Sequence, residues 1–138
     1  MTFRLWAGLQ NYLVLVTLGV LLAAFSLLTD NFFSVGTLSA ILNQLPALTL
    51  VTVGMTLVLI CGGIDLSVGS VLALSAAVIG VSVSVGLPIP LAMLLGVVAG
   101  AVAGSVNGLF GSYLGLPVFI VTLGMLEMAR GLAYVVTD

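Results

Sequence analysis

Two basic and four acidic side chains among 138 residues are too few to coat the water-facing surface of a folded domain. Soluble domains average about 25% charged residues, against 4% here, while 62% of the chain is hydrophobic. The solvent for most of this chain is therefore lipid. There apolar faces need no hiding, but every backbone polar group must be bonded within the protein. Helices satisfy their own backbone, so the expected fold class is an all-α integral membrane protein.

The missing residue types exclude much chemistry. There is no Lys and no His, and the basic residues are Arg4 and Arg130. A basic patch for nucleic acid is ruled out, and so is a P-loop with its phosphate-holding Lys. A His-ligated metal site or a Ser–His catalytic pair cannot be built from these residues. Asp65 with Glu127 makes only an unsupported carboxylate couple for hydrolytic chemistry. The lone Cys61 cannot form an internal disulfide. No catalytic residue, cofactor or metal site is expected.

A helical span needs about 20 mostly apolar residues. The pattern predicts about five: Tyr12–Leu28, Leu45–Ile60, Leu66–Val85, Pro90–Ser112 and Val118–Val136. Arg4 precedes the first run as in a signal peptide, but the run is long and no small-x-small site follows, so a retained span is expected. Asp30 and Asn31 interrupt the chain after it, with Phe32 and Phe33 suited to a membrane interface. Thr37–Gln44 reads as a short separate helix at the surface. The turn Gly86-Leu87-Pro88-Ile89-Pro90 and the break at Tyr113–Pro117 separate the later spans, with Pro90 placed in a first turn. Short connections make neighbouring spans antiparallel. Arg4 alone sets the orientation, placing the N-terminus in the cytoplasm and Asp138 outside.

Within the spans, Ala92, Gly96, Gly100, Gly104, Gly108 and Ser112 recur every four residues. Such a small-residue ridge lets helix backbones approach closely, so Gly96, Gly100, Gly104 and Gly108 are candidates for helix packing. Thr49, Thr52 and Thr56 share a face. Their hydroxyls either bond the carbonyl one turn back or line a polar path. Glu127 and Arg130, three apart inside the last span, can form an ion pair, either fixing helix packing or contacting a solute. Gly124, Glu127 and Gly131 share a face, which places the acid among small residues rather than lipid.

The stretch Gly62-Gly63-Ile64-Asp65-Leu66-Ser67-Val68-Gly69-Ser70 sets a charge and paired glycines between two apolar spans. It predicts a broken or re-entrant segment near Gly62–Asp65, tolerated in a membrane only where protein or water covers the freed backbone. Asp65 is placed to cap the helix that follows. Asn107-Gly108 adds a polar group late in the fourth span.

Gly54-Met55-Thr56, Gly63-Ile64-Asp65-Leu66-Ser67-Val68-Gly69-Ser70, Asn107-Gly108, Pro117-Val118-Phe119-Ile120-Val121-Thr122-Leu123-Gly124-Met125 and Arg130-Gly131 keep one order and approximate spacing. Together with Asn31-Phe32-Phe33, this pattern resembles the ribose/xylose/galactoside-type permeases of bacterial ABC importers. The resemblance implies a multi-pass subunit of the bacterial inner membrane that carries a monosaccharide or similar small polar solute. The implied partners are a second permease subunit in a dimer, cytoplasmic ATPase subunits that hydrolyse the ATP, and an extracytoplasmic solute-binding protein. Members of that family are more than twice as long, so residues 1–138 correspond to one permease domain, the N-terminal part. Candidate translocation or gating residues are Asp65, Ser67, Asn107, Glu127 and Arg130. The alternative is a small self-assembling membrane channel or scaffold.

Overall fold

A computed structural model describes the backbone of residues 2–138 and the side chains of residues 12–138. The described residues form helices and no strands: α1 (Thr2–Leu28), α2 (Val35–Ile60), α3 (Val68–Ser84), α4 (Ile89–Gly108), a π-helical turn (Leu109–Tyr113) and α5 (Val118–Thr137). The chain is an all-α integral membrane protein. α2, α4 with its π-turn, and α5 are long and apolar enough to cross a bilayer; Tyr12–Leu28 and α3 are shorter apolar helices. Seventeen residues at 1.5 Å each give α3 about 26 Å, at the short end of what spans a hydrocarbon core. The side chain of Arg4, on which the orientation rests, lies outside the described residues.

Two compact units divide the chain, Met1–Thr49 and Leu50–Asp138. In the first, the turn after α1 is stitched locally. Ser34 Oγ accepts the Thr37 amide at 3.1 Å, which is an N-cap for α2, and Thr37 Oγ1 donates to the Asn31 carbonyl at 2.8 Å. Phe32 stacks on Phe25 and meets Phe33 edge-on.

The separate surface helix expected over Thr37–Gln44 is corrected. It and the span expected over Leu45–Ile60 are one helix, α2, which runs through Pro46. A proline removes a single amide donor, and apolar surroundings favour continuing a helix over exposing a whole turn of backbone. Within α2, Thr49 and Thr56 donate to the carbonyls of Leu45 and Thr52 at 2.8 Å each, so these two hydroxyls bond one turn back.

In the second unit α3 packs against both α4 and α5. Its core is Leu74, Ala103, Met125 and Ala129, with Val71, Val78, Val106 and Ala133 against them. Each interruption carries a glycine with positive φ: Gly62 (78°), Gly86 (89°) and Gly115 (68°). At Gly62 the amides of Gly62 and Gly63 bond the carbonyls of Leu59 and Val58, and at Gly86 those of Gly86 and Leu87 bond Val83 and Ser82. This double bond pattern ends a helix while satisfying its last carbonyls, and only glycine adopts its left-handed position without strain.

The span expected over Pro90–Ser112 is found as one apolar stretch, Ile89–Tyr113. The α-helix stops at Gly108 and the chain continues as a wider π-turn. That turn brings Gly111 against Val118, whose Cγ2 lies 3.1 Å from where a Cβ on Gly111 would stand.

Candidate functional site

The non-helical stretch from Cys61 to Ser67 frees backbone groups that lipid cannot satisfy. The fold covers it with side chains from two other elements. Gly63 is buried, and a Cβ there would lie 3.2 Å from Val118 Cγ1 of α5 and 3.3 Å from Val58 Cγ1. Val118 is thereby wedged between Gly63 of the break and Gly111 of the π-turn. Thr122, one turn further along α5, donates its hydroxyl to the Ile64 carbonyl at 3.2 Å and shares it with Phe119 O. At 1% exposure Thr122 is buried, so the donor is held where the free carbonyl needs it.

The other half of the break is held by Asp65. Its Oδ1 accepts the Ser67 amide at 2.7 Å and the Ser67 hydroxyl at 2.6 Å. The carboxylate thus closes a turn on the residue that immediately precedes α3, beside the positive end of that helix. Ser67 Oγ also accepts from Asn107 Nδ2 at 3.0 Å, linking the break to α4 across 40 residues of sequence. Ser67 and Asn107 are 1% and 8% exposed.

The direction of this relay follows from proton counting. A serine hydroxyl has one hydrogen, and here a carboxylate oxygen takes it. Towards Asn107 the hydroxyl therefore offers only a lone pair, so the amide must present its NH2. Asn107 Oδ1 then faces away, buried and without a hydrogen-bond partner. It is the one buried polar side-chain atom left unpaired among the described residues.

Asp65, Ser67 and Asn107 also line a groove of about 320 Å³ between α3 and α4, together with Ser75, Gly100 and Gly104. The glycine ridge of α4 is split by this groove. A Cβ on Gly96 would fall 2.5 Å from Ile79 Cγ1 and 3.1 Å from the Ser75 carbonyl, and one on Gly100 would fall 3.2 Å from Ser75 Oγ. At Gly104 and Gly108 it would meet nothing within 4 Å. Among the described residues only the first half of the ridge packs closely; further along, Gly104 opens onto the groove.

Glu127 and Arg130 do not join the cluster. They pair with each other at 3.3 Å on the outer face of α5, 67% and 58% exposed. Among the described residues nothing lies within 4 Å of a Cβ placed on Gly124 or Gly131, so the small residues expected to shield Glu127 leave it open there. Arg130 lines a separate groove of about 710 Å³ between α3 and α5, with Ser70, Tyr134 and Thr137.

Thr122 is the site residue that sequence reasoning did not single out. A threonine inside an apolar helix signals nothing by itself, but its place on one face with Met125 and Ala129 marks the buried side of α5.

The role of Asp65 can be tested by stability alone. Asp65→Asn keeps an acceptor for the Ser67 amide, and its melting temperature in detergent should stay near that of the parent chain. Asp65→Ala strands the buried Ser67 amide and hydroxyl, costing about 1–3 kcal/mol. Equal loss in both variants would show that the charge, not the turn, matters to folding.

Comparison with known proteins places this arrangement in a family. The sequence profile described as branched-chain amino acid transport system / permease component matches residues 37–138. The ribose import permease protein of Haemophilus influenzae is 38% identical over 123 residues, covering 89% of this chain and 38% of the relative. That of Escherichia coli K12 is 39% identical over 132 residues, covering 96% and 41%. The autoinducer 2 import system permease protein of Photorhabdus luminescens is 35% identical over 133 residues, covering 94% and 40%. The chain therefore spans about two-fifths of the length of these curated relatives. No solved structure matches it. With the profile covering most of its length, the chain belongs to the family of branched-chain amino acid transport system permease components.

Proposed function

We propose that this chain is a transmembrane part of a permease subunit in an ATP-driven importer, and that it forms one side of the path for a monosaccharide or similar small polar solute. The observation that carries the proposal is the polar cluster of half-buried Asp65 with buried Ser67, Asn107 and Thr122 at a helix break, in a chain otherwise almost free of charge. Membrane helices keep such breaks where the backbone lines a cavity or a binding site. The relatives named as ribose and autoinducer 2 import permeases support a small polyhydroxylated cargo. In this reading residues 1–138 act as one permease domain, the N-terminal part of a longer architecture, in the bacterial inner membrane with the N-terminus in the cytoplasm. The partners are a second permease subunit, ATPase subunits that hydrolyse ATP on a separate chain, and an extracytoplasmic solute-binding protein.

The exposed Glu127–Arg130 pair fits the same picture. It lies in the middle of α5, where two charges facing lipid are costly. A face bearing them suits protein or water better than acyl chains.

The test is purification of the tagged chain from its bacterial membrane under mild detergent. An ATPase is expected to co-purify, and the complex should hydrolyse ATP faster when a solute-binding protein loaded with D-ribose is added. A chain that purifies without ATPase activity, and instead conducts ions as a homo-oligomer in planar bilayers, would be a channel and not an importer subunit.

A further inference from the structure

Glu127 and Arg130 stand near the middle of α5 with most of their bonding capacity unused. A single contact at 3.3 Å joins them. It takes up one carboxylate oxygen and one N–H of a guanidinium that carries several. It is also longer than the roughly 2.7–2.9 Å of a strong charge-assisted bond. Among the described residues no other hydrogen bond reaches either side chain, and both are exposed.

The face around them is built for close approach. Thr122, Met125 and Ala129 turn inward, so the opposite side of α5 is centred on Ile120, Gly124, Glu127, Gly131 and Tyr134. These residues fall at alternating steps of four and three, the spacing of a seam between two helices. Ile120 and Tyr134 are exposed. Gly124 and Gly131 lie one turn before and one turn after Glu127, and a Cβ on either would meet nothing within 4 Å. A second helix can come near the backbone there and bring its own polar groups to the two charges.

We propose that this face of α5 docks a second copy of the chain, in a two-fold contact where Arg130 of each copy bonds Glu127 of the other. The proposal rests on the importer reading above for the existence of a permease pair, and it names the surface that joins the pair. Both copies cross the membrane in the same direction, so the two α5 helices run parallel about an axis normal to the bilayer. Three residues of helix separate Glu127 from Arg130, about 4.5 Å of rise, which an arginine side chain spans. The charge order selects the occupant. A face with an acid and a base set this way is complementary to itself under a two-fold rotation, because each copy presents the donors that the other copy's acceptors lack. Four charges then alternate in sign around the axis. Acyl chains offer no counter-charge at this depth. A water-filled path would leave the exposed Ile120 and Tyr134 without apolar cover.

Disulfide cross-linking in the bacterial membrane tests the proposal. Cys61→Ser removes the exposed native thiol, and Gly131→Cys puts one on the proposed seam. Ile120→Cys repeats the measurement two turns away. Mild oxidation should link either variant into a dimer, whereas Leu132→Cys, exposed on another side of α5, should stay monomeric. Adding Glu127→Arg, or Arg130→Glu, sets like charges across the axis and should lower cross-linking by about tenfold. The two reversal variants, co-expressed with different tags, restore opposite charges and should cross-link to each other as well as the parent does. If a reversal does not insert into the membrane, Glu127→Gln replaces it and should lower cross-linking by about threefold. No cross-link at either seam position, an equal cross-link at Leu132→Cys, or charge variants that neither weaken nor redirect the pairing would each overturn the proposal. If the ATPase still co-purifies, such a result removes this interface and leaves the importer reading in place. A charge-dependent cross-link in a chain that brings down no ATPase keeps the interface and removes the importer.

Discussion

Replacing Gly96 with Leu should cost about 3 kcal/mol of stability, the upper part of the range for overpacking a closely packed contact. The first added atom already falls 2.5 Å from Ile79 Cγ1 and 3.1 Å from the Ser75 carbonyl. Ile79 can rotate away, but the Ser75 carbonyl belongs to the backbone of α3 and cannot yield without moving that helix. Even Gly96→Ala should destabilise, although Ala is the better helix former. At Gly104 the balance reverses. An added methyl meets nothing within 4 Å, so Gly104→Ala should be neutral or gain up to about 1 kcal/mol from helix propensity. Thermal unfolding of the two alanine variants in the same detergent checks the contrast. Equal stabilities would mean that the α3–α4 contact at Gly96 does not hold the helices together.

The second large effect belongs to Ser67. Ser67→Ala deletes the hydroxyl that joins Asp65 to Asn107, and the Asn107 amide, 8% exposed, loses its single side-chain partner in the described structure. Its oxygen is unpaired already, so the entire amide would stand unsatisfied in an apolar bundle. The expected loss is about 3 kcal/mol, at the high end for stranding a buried polar group. Asn107→Leu in the Ser67→Ala background removes the stranded amide and should recover part of that loss. The double variant should therefore be more stable than the sum of the single changes predicts, by about 1 kcal/mol or more. Simple additivity in chemical or thermal unfolding would show that Ser67 and Asn107 are not coupled.

Much of this architecture is legible in the chain itself. The scarcity of charge dictates a lipid environment, and the lengths of the apolar runs dictate helices. The breaks at Gly62, Gly86 and Gly115 are local events, written in glycines that take positive φ and in the prolines nearby. Asp65 closing a turn ahead of α3 is local as well, because its partner is two residues away. Helix continuity is less legible. Polar Asn43 and Gln44 suggest a boundary, yet α2 runs through them and through Pro46, since one missing amide bond costs less than an unsatisfied turn.

What no local pattern carries is which faces meet. These helices are apolar all round, so the alternation that marks a buried side in a soluble helix is nearly absent. Four-residue spacing proposes a ridge from Gly96 to Gly108, but only the placement of α3 makes Gly96 a tight contact and leaves Gly104 over a groove. Glu127 and Arg130 pair as their spacing suggests, but their outward direction depends on α5 turning Thr122, Met125 and Ala129 inward. The cluster itself joins residues 40 and 58 positions apart: Asn107 to Ser67, and Thr122 to Ile64. Bonds at such separations form only after three helices have packed. Composition and glycine placement therefore determine the membrane setting, the helices and their breaks. The polar centre exists because packing brings α4 and α5 over an interrupted backbone whose freed polar groups lipid cannot satisfy.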